Sequence, residues 1–446
     1  MRAREWAIAE GVRRVVACRV WELAGIVYSC VCSLRPLAHT ECVLPVTESE
    51  PKMSTITPTS TTEIAKAADA AGIELFDLMN EYQYEQVVLC HEPHTQLRAI
   101  IVIHNTTLGP ALGGIRMWPY QSERDAIIDC MRLARGMTFK AAVSGLNLGG
   151  GKTVVIGDPR KDKSEALFRA LGRFVDTLNG RYIAAEDVGT ATEDMDYVSM
   201  ETPYVTGIDS PDGGSGDPSP MTAFGVYQGI RAAAKKTFGS HKLDGLRISM
   251  QGCGHVGSYL AKYLVDAGAV LTVTDIHEDN VAQLCEHTGA TSVAPEAIYD
   301  VPADIFAPCA LGGIINPENV ERLSASGDLR IIAGAANNVL DHDSTGKLLH
   351  DNGILYAPDY VINAGGLINV SEELGGYNRD RAKKRVEKIY DNLTTVFNLA
   401  DEHNILPHEA AEKVALERIA MVRPIADVYT GRARTSWQHK PIALQD

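Results

Sequence analysis

Early in the chain, apolar positions cluster into short continuous runs. "QVVLC" and "LRAIIVIH" are rich in β-branched residues and predict two strands. From Ser122 the spacing widens. In "SERDAIIDCMRLARG", Ile127, Met131 and Ala134 recur at helical intervals, which predicts a helix opened by a Ser122 N-cap and stopped at Gly136. "KSEALFRALGRFVDTLNG" repeats that period, with Leu167, Leu171, Phe174, Val175 and Leu178 on one face. A glycine- and proline-rich passage, "GIDSPDGGSGDPSPMTA", reads as a hinge. Beyond it, "LRISM", "AVLTVTD", "ADIFAPC", "RIIAG" and "GILYAP" alternate with helical segments, the rhythm of a doubly wound parallel sheet. Two helices are expected to follow. One lies around residues 379–400, with Val386, Ile389, Leu393 and Val396 on one face, and the other starts at Pro407, a residue suited to a first helical position. Both are expected to pack back across the first domain.

The bulk figures narrow the class. With 446 residues there is room for two domains with sizeable cores. A net charge of -15 counts against a duplex nucleic-acid binder, which needs a basic face. The expected location is cytoplasmic. Nine cysteines contain no C-x-x-C pair, so neither a zinc site nor a disulfide framework is expected, and no metal. Residues 1–71 stand apart: they hold Cys18, Cys30, Cys32 and Cys42 and the apolar run Leu23–Leu34. That run is preceded by Glu5, Glu10 and Glu22, against the pattern of a leader, and is too short to span a bilayer. The extension is expected to be disordered or non-native, with Met53 in its linker as an alternative start; a targeting or partner-binding arm is the other interpretation.

Gly252-Cys253-Gly254-His255-Val256-Gly257 is a complete G-x-G-x-x-G, followed by Ser258. It follows a predicted strand, opens a predicted helix, and precedes a strand ending in Asp275, where a ribose-binding carboxylate belongs. In that context it predicts a dinucleotide site, with the pyrophosphate at the helix N-terminus. Asp275 accepts bonds from a free 2′-hydroxyl but repels a 2′-phosphate, and Ile276 and His277 supply no arginine, so NAD is expected over NADP.

"GLNLGGGKTVV" suggests a second phosphate loop, but G-x-x-x-x-G-K-[ST] needs a glycine where Leu146 stands. Lys152 is therefore free for other chemistry. Lys140 lies twelve residues before it, and Asp187 follows in "AAEDVGT". Two lysines with an acid and flexible glycines could bind a carboxylate and supply a base. A second cation and partial burial favour an uncharged amine, and Lys140 is expected to act so on Lys152.

Together, "LGPALGGIRMW", "GMTFKAAVSGLNLGGGKTVVIGDPRKDKSEALFRALGRFV", "AEDVGT", "GDPSPMTAFGVY", "APCALGG", "AGAANN" and "YAPDYVINAGGLINV" resemble the glutamate/leucine/phenylalanine/valine amino-acid dehydrogenase superfamily. The likeness runs from about Gly72 to Arg434. It implies an α/β fold with an N-terminal substrate domain (72–210, completed by helices within 400–446) and a Rossmann-type NAD-binding domain (211–399), the cleft lying between them. It implies that Lys152 is the general base coupled to Asp187, and that Lys140, helped by Gly113 and Gly114, holds the substrate α-carboxylate. Thr222, Asn337 and Asn363 would hold the nicotinamide end. Leu112, Met137, Ala185, Leu367 and Val370 would line the side-chain pocket. The implied reaction is reversible oxidative deamination of a branched-chain L-amino acid to a 2-oxo acid and ammonia. A lysine in place of Leu112 would mark glutamate specificity, and "AEDVGT" fits the leucine branch better than the phenylalanine branch. Valine preference, or phenylalanine preference, is the alternative within the enzyme class. An NAD-binding sensor without catalysis, or a phosphotransferase, is the alternative outside it. The resemblance also implies a homo-oligomer, with an octamer as the candidate assembly.

Overall fold

The computed structural model describes residues 75–209 and 213–426, together with two short strands at 22–23 and 26–27. Those strands, β1 (Glu22–Leu23) and β2 (Ile26–Val27), pair antiparallel. The rest of the predicted N-terminal arm, its linker, residues 210–212 of the hinge and the stretch after Ala426 lie outside the described residues.

After α1 (Leu75–Glu81), five strands form the first sheet: β3 (Gln86–Glu92), β4 (Leu97–Asn105), β5 (Ala111–Trp118), β6 (Gly149–Ile156) and β7 (Tyr182–Glu186). Their order is β3-β4-β6-β5-β7, with β3, β4 and β6 antiparallel and β5 parallel to both β6 and β7. Between them come α2 (Glu123–Val143) and α3 (Glu165–Thr177), followed by α4 (Thr192–Ser199). Alternate β4 residues part to opposite faces. Ile100 and Val102 pack with Ala126, Met131 and Ala134 of α2, whereas Ala99, Ile101 and Ile103 pack with Phe168 and Leu171 of α3. Covering on both faces explains why this strand is continuously apolar. Each fully buried isoleucine contributes about 1.5–3 kcal/mol.

Gly136 does not stop α2, which continues to Val143. A mid-helix glycine costs about 1 kcal/mol; Thr138, Phe139, Ala141 and Ala142 are all buried beyond it and outweigh that cost. The left-handed residue comes later, at Gly145 (φ 73°). Ser122 does cap the helix, its Oγ accepting from Asp125 N at 3.1 Å. The glycine run 149–151 is strand rather than phosphate loop. A Cβ at Gly150 would lie 2.1 Å from the Thr138 nitrogen. The glycines thus allow α2 to lie flat on β6, which brings Lys140 and Lys152 to one place.

The second sheet follows α5 (Ser219–Phe238). It contains β8 (Arg247–Gln251), β9 (Val270–Thr274), β10 (Thr291–Ser292), β11 (Ile305–Pro308), β12 (Ile331–Ile332) and β13 (Leu355–Tyr356). All pairs are parallel, in the order β10-β9-β8-β11-β12-β13, the doubly wound arrangement expected of a dinucleotide-binding sheet. The connecting helices are α6 (His255–Asp266), α7 (Glu278–Thr288), α8 (Pro317–Ser324) and α9 (Asp343–Asp351). Two short helices, α10 (Asp359–Ile362) and α11 (Gly365–Ser371), come next.

The helix expected over 379–400 is two helices, α12 (Arg379–Val386) and α13 (Ile389–His403). Across the break, Val386 and Ile389 both press on Gly225 of α5. These helices stay against α5. Of these three C-terminal helices, the last, α14 (Pro407–Ala426), is the one that packs on the first sheet's α2. There Arg418 donates to the carbonyls of Ala142 (2.9 Å) and Leu146 (2.7 Å), and Arg135 pairs with Glu412 at 2.7 Å. Among the described residues, no helix is long and apolar enough to cross a membrane.

Candidate active site

Three elements of the first sheet bring charge to one point. Lys152 of β6 is 4% exposed, and its Nζ donates to Asp187 Oδ2, just past β7, at 2.6 Å. Arg116 of β5 donates from Nε to the same oxygen at 3.1 Å and from Nη1 to Asp129 at 3.0 Å. Tyr120 also donates to Asp129, at 2.5 Å. Burial alone would raise the Asp187 carboxyl, but the Lys152 and Arg116 charges outweigh it and hold Asp187 well below the usual carboxylate range. Lys140, in the last turn of α2, donates to Asn337 Oδ1 at 3.4 Å. Burial brings Lys140 down to about 8 against the pull of Asp359, with the Lys152 charge adding to the lowering. The Lys152 charge thus acts on Lys140.

A cavity of about 260 Å³ opens beside this pair. Leu112, Met137, Ala185, Leu367 and Val370 form its apolar wall, and Lys140, Lys152 and Asp187 its charged wall. Thr222, Val256, Asn337 and Asn363 complete it on the side of the second sheet. Gly114 lines it too, whereas Gly113 is not on its wall. Backbone crowding accounts for both glycines: a Cβ would come within 1.7 Å of Gly151 O at position 113 and 2.6 Å of Glu186 O at position 114. The "NAGG" turn works similarly. A Cβ at Gly365 would be 2.2 Å from Met221 O, so glycine lets α11 nest on α5 and carries Leu367 and Val370 to the pocket.

The glycine-rich turn joins β8 to α6. Gly252 has φ 109° and faces Cys309, and a Cβ at Gly257 would lie 2.1 Å from Gly252 O, so helix and turn pack closely. Gly254 is the N-cap and has open space around it. His255, Val256 and Ser258 lie in the first turn of α6, with Ser258 Oγ donating to Cys253 O at 3.0 Å. Cys253 is buried, which pushes its thiol up to about 12 and leaves its backbone facing the turn. Asp275 accepts from Cys253 N at 2.7 Å and from His277 N at 2.9 Å, so its carboxylate is held at the tip of β9 over the glycines. At the other end of the cleft, Asn363 Nδ2 donates to Asn337 Oδ1 (2.6 Å) and Ala335 O (3.0 Å) while its Oδ1 is buried without a partner. A buried acceptor without a partner, in the cavity that Val256 of the glycine-rich turn's helix also lines, fits an extended ligand with a carboxamide at one end and phosphates in the middle.

Two family models match the chain, a Glu/Leu/Phe/Val dehydrogenase dimerisation domain over residues 84–204 and a glutamate/leucine/phenylalanine/valine dehydrogenase domain over 213–278 and 270–423. The chain belongs to the Glu/Leu/Phe/Val dehydrogenase family. It is 57% identical over 351 residues to a leucine dehydrogenase of Thermoactinomyces intermedius, covering 79% of this chain and 95% of the relative. A valine dehydrogenase of Streptomyces coelicolor is 48% identical over 344 residues, covering 76% and 93%. Among solved structures, L-tryptophan dehydrogenase from Nostoc punctiforme matches with TM-score 0.68 and 43% identity, over 78% of this chain and 99% of that one. A dehydrogenase of this family with a Rossmann-type sheet uses a nicotinamide cofactor, and the residues just described suit it.

Sequence reasoning missed Arg116 and its partners Asp129 and Tyr120. The available signal was one charged residue inside the otherwise apolar strand "ALGGIRMW", between the fully buried Ile115 and Met117.

Proposed function

We propose that this chain catalyses the NAD-dependent, reversible oxidative deamination of L-leucine and other branched-chain L-amino acids. In balance, amino acid, water and oxidised cofactor give 2-oxo acid, ammonium, reduced cofactor and a proton. The observation that carries it is the Lys152–Asp187 contact of 2.6 Å on the charged wall of a cavity whose opposite wall is aliphatic.

Lys140 as its cation binds the α-carboxylate and fixes Cα over the cleft, the near-contact geometry that hydride transfer needs. The substrate ammonium adds a cation to a site that already holds two lysines, so one proton is expelled. Asp187 is a poor resting place for that proton, since its carboxyl titrates far below neutrality, and so it serves as a relay to water. Lys152, left with a free lone pair, takes a proton from the substrate ammonium and passes it through Asp187 to water; neutral again, it takes a proton from the attacking water and returns it to the departing nitrogen. Arg116 keeps Asp187 aimed at Lys152. The chemistry supplied by the cofactor when bound is acceptance of the hydride that leaves Cα. Thr222, Asn337 and Asn363 would hold its carboxamide end, the 252–258 turn its phosphates, and Asp275 its ribose. The Asp275 carboxylate favours NAD because a 2′-phosphate placed there meets a like charge. Changing Asp275 to Ser is expected to narrow the NAD-over-NADP preference by about tenfold or more, like charges in contact costing several kcal/mol; an unchanged kcat/KM ratio for the two cofactors rejects this role.

Side-chain selection follows from the wall. Leu112 is 1% exposed and leaves nothing to pair with a γ-carboxylate, so glutamate is excluded by desolvation. One methylene in an apolar pocket is worth only about 1–3 kcal/mol. Leucine, isoleucine and valine are therefore all expected to turn over, with leucine first. A panel of branched, aromatic and acidic amino acids with NAD decides the matter: glutamate faster than leucine overturns the assignment, and no NADH with any amino acid points instead to a cofactor-binding sensor. The chain is expected to act as a homo-oligomer, an octamer. Supporting this, β3 is an edge strand whose Leu89 is 69% exposed, and Phe76 of α1 is 84% exposed. Light scattering tests the number.

A further inference from the structure

A second chamber of about 230 Å³ adjoins the substrate cavity. The two share only Met137, Lys140, Lys152, Asp187 and Asn337. From that charged junction the chamber runs between α2, the Asn337–Leu340 segment, the Tyr356–Tyr360 segment and α14 to partly exposed Arg132, Leu133 and Asp343. We propose that this chamber is the passage by which ammonia leaves, and water enters, while amino acid and cofactor fill the main cavity. The inference rests on the deamination chemistry proposed above.

Ammonia is formed at Cα, beside Lys152. The other exits are then blocked, because the aliphatic wall is covered by the substrate side chain and the Thr222, Val256 and Asn363 side belongs to the cofactor. The junction with the second chamber is the remaining polar outlet, and it opens at the groups that handle the proton.

The chamber's chemistry suits a small cation or its neutral amine. Its three arginines are each committed to carboxylates: Arg116 to Asp187 and Asp129, Arg132 to Asp129, and Arg135 to Glu412. Asp359 accepts from backbone donors, Val339 N at 3.0 Å and Tyr360 N at 2.6 Å, and its carboxyl interacts with the Lys140 charge. His408 on α14 keeps a buried Nδ1 without a partner, a place for a passing water or ammonia. Beyond the Lys140 and Lys152 junction, an anionic 2-oxo acid with a branched tail meets carboxylates and, among the described residues, arginines already paired with carboxylates, so the passage discriminates between the two products by charge as well as size.

Gly136 gives the test. It lines this chamber and not the substrate cavity, and a Cβ there meets nothing within 4 Å. A side chain at 136 therefore starts into the chamber without a clash at its Cβ, and larger groups occupy more of it. Reductive amination is measured for the full-length wild type, Gly136→Ala and Gly136→Leu. The expected result is a KM for ammonium raised about tenfold or more in Gly136→Leu, with KM for the 2-oxo acid and NADH within about twofold and Gly136→Ala close to wild type. In case Gly136→Leu does not fold, Gly136→Cys is folded first and then capped with methanethiosulfonates of increasing size, wild type being treated in parallel. A stepwise rise in ammonium KM confined to the variant supports the passage. An unmoved ammonium KM, or an equal rise for ammonium and 2-oxo acid, overturns it. Failure of the deamination assignment looks different, since wild type itself would then show no amino-acid-dependent turnover.

Discussion

Replacing Lys152 with alanine is expected to cut turnover by about 10²–10⁴-fold, the usual contribution of a positioned general base. NAD binding, measured by fluorescence titration, should change by less than about twofold, since the glycine turn and Asp275 are untouched. The fold should survive. Breaking a buried ion pair commonly costs about 3–5 kcal/mol because it leaves one charge stranded, but Asp187 keeps Arg116 at 3.1 Å after Lys152 is gone. A lower melting temperature with intact cofactor binding is therefore expected. Small primary amines added to the variant should restore part of the oxidative turnover, because they can occupy the emptied space and take the same proton. A folded variant with unchanged turnover rejects the base. Lost turnover without amine rescue assigns Lys152 a structural role instead.

Sequence spacing exposed the elements whose partners lie on both sides of a single strand or along one helix face. Strands β3 and β4 and helix α3 are of this kind, since period and composition are local properties. What it concealed was set by contacts between distant segments. Gly136 resembles a helix stop until Thr138, Phe139, Ala141 and Ala142 are seen to be buried beyond it. Glycines 225 and 229 obscure α5, yet a Cβ at either would strike Ile389, Ile362 or Leu393, so each marks a close helix approach rather than a break. The same holds at the site. Lys140 and Lys152 are close in sequence, and "GLNLGGGK" hints at their task. The 2.6 Å contact with Asp187 spans 35 positions, and the arginine behind it became meaningful only once β5 lay between β6 and β7. Gly113, expected to assist carboxylate binding, is not on the cavity wall; it lies where β5 pairs with β6 so closely that a Cβ would strike Gly151 O.

Lys140 carries the other large expected effect, and its sign follows from its environment. The amine is brought to about 8, so Lys140 is a cation below that pH and is neutral above it. Only the cation attracts the α-carboxylate. Affinity for a carboxylate should thus be complete below about pH 8 and fall as pH rises through it, roughly tenfold per unit beyond. The substrate's own amine titrates in the same region and would confuse the measurement. A branched aliphatic acid without an amino group, used as a competitive inhibitor, isolates the lysine. Its inhibition constant against wild type should climb above about pH 8. Lys140→Met should weaken the same inhibitor by about 30- to 4,000-fold, the equivalent of about 2–5 kcal/mol for one partner of a desolvated charge pair, and should abolish the pH dependence. Because the methionine leaves Lys152 and Asp187 in place, the loss should appear mainly in KM for the amino acid. An inhibition constant in wild type that stays flat through this range would show that some other group binds the carboxylate, with Asn337 and the Gly114 backbone the nearest alternatives on the cavity wall.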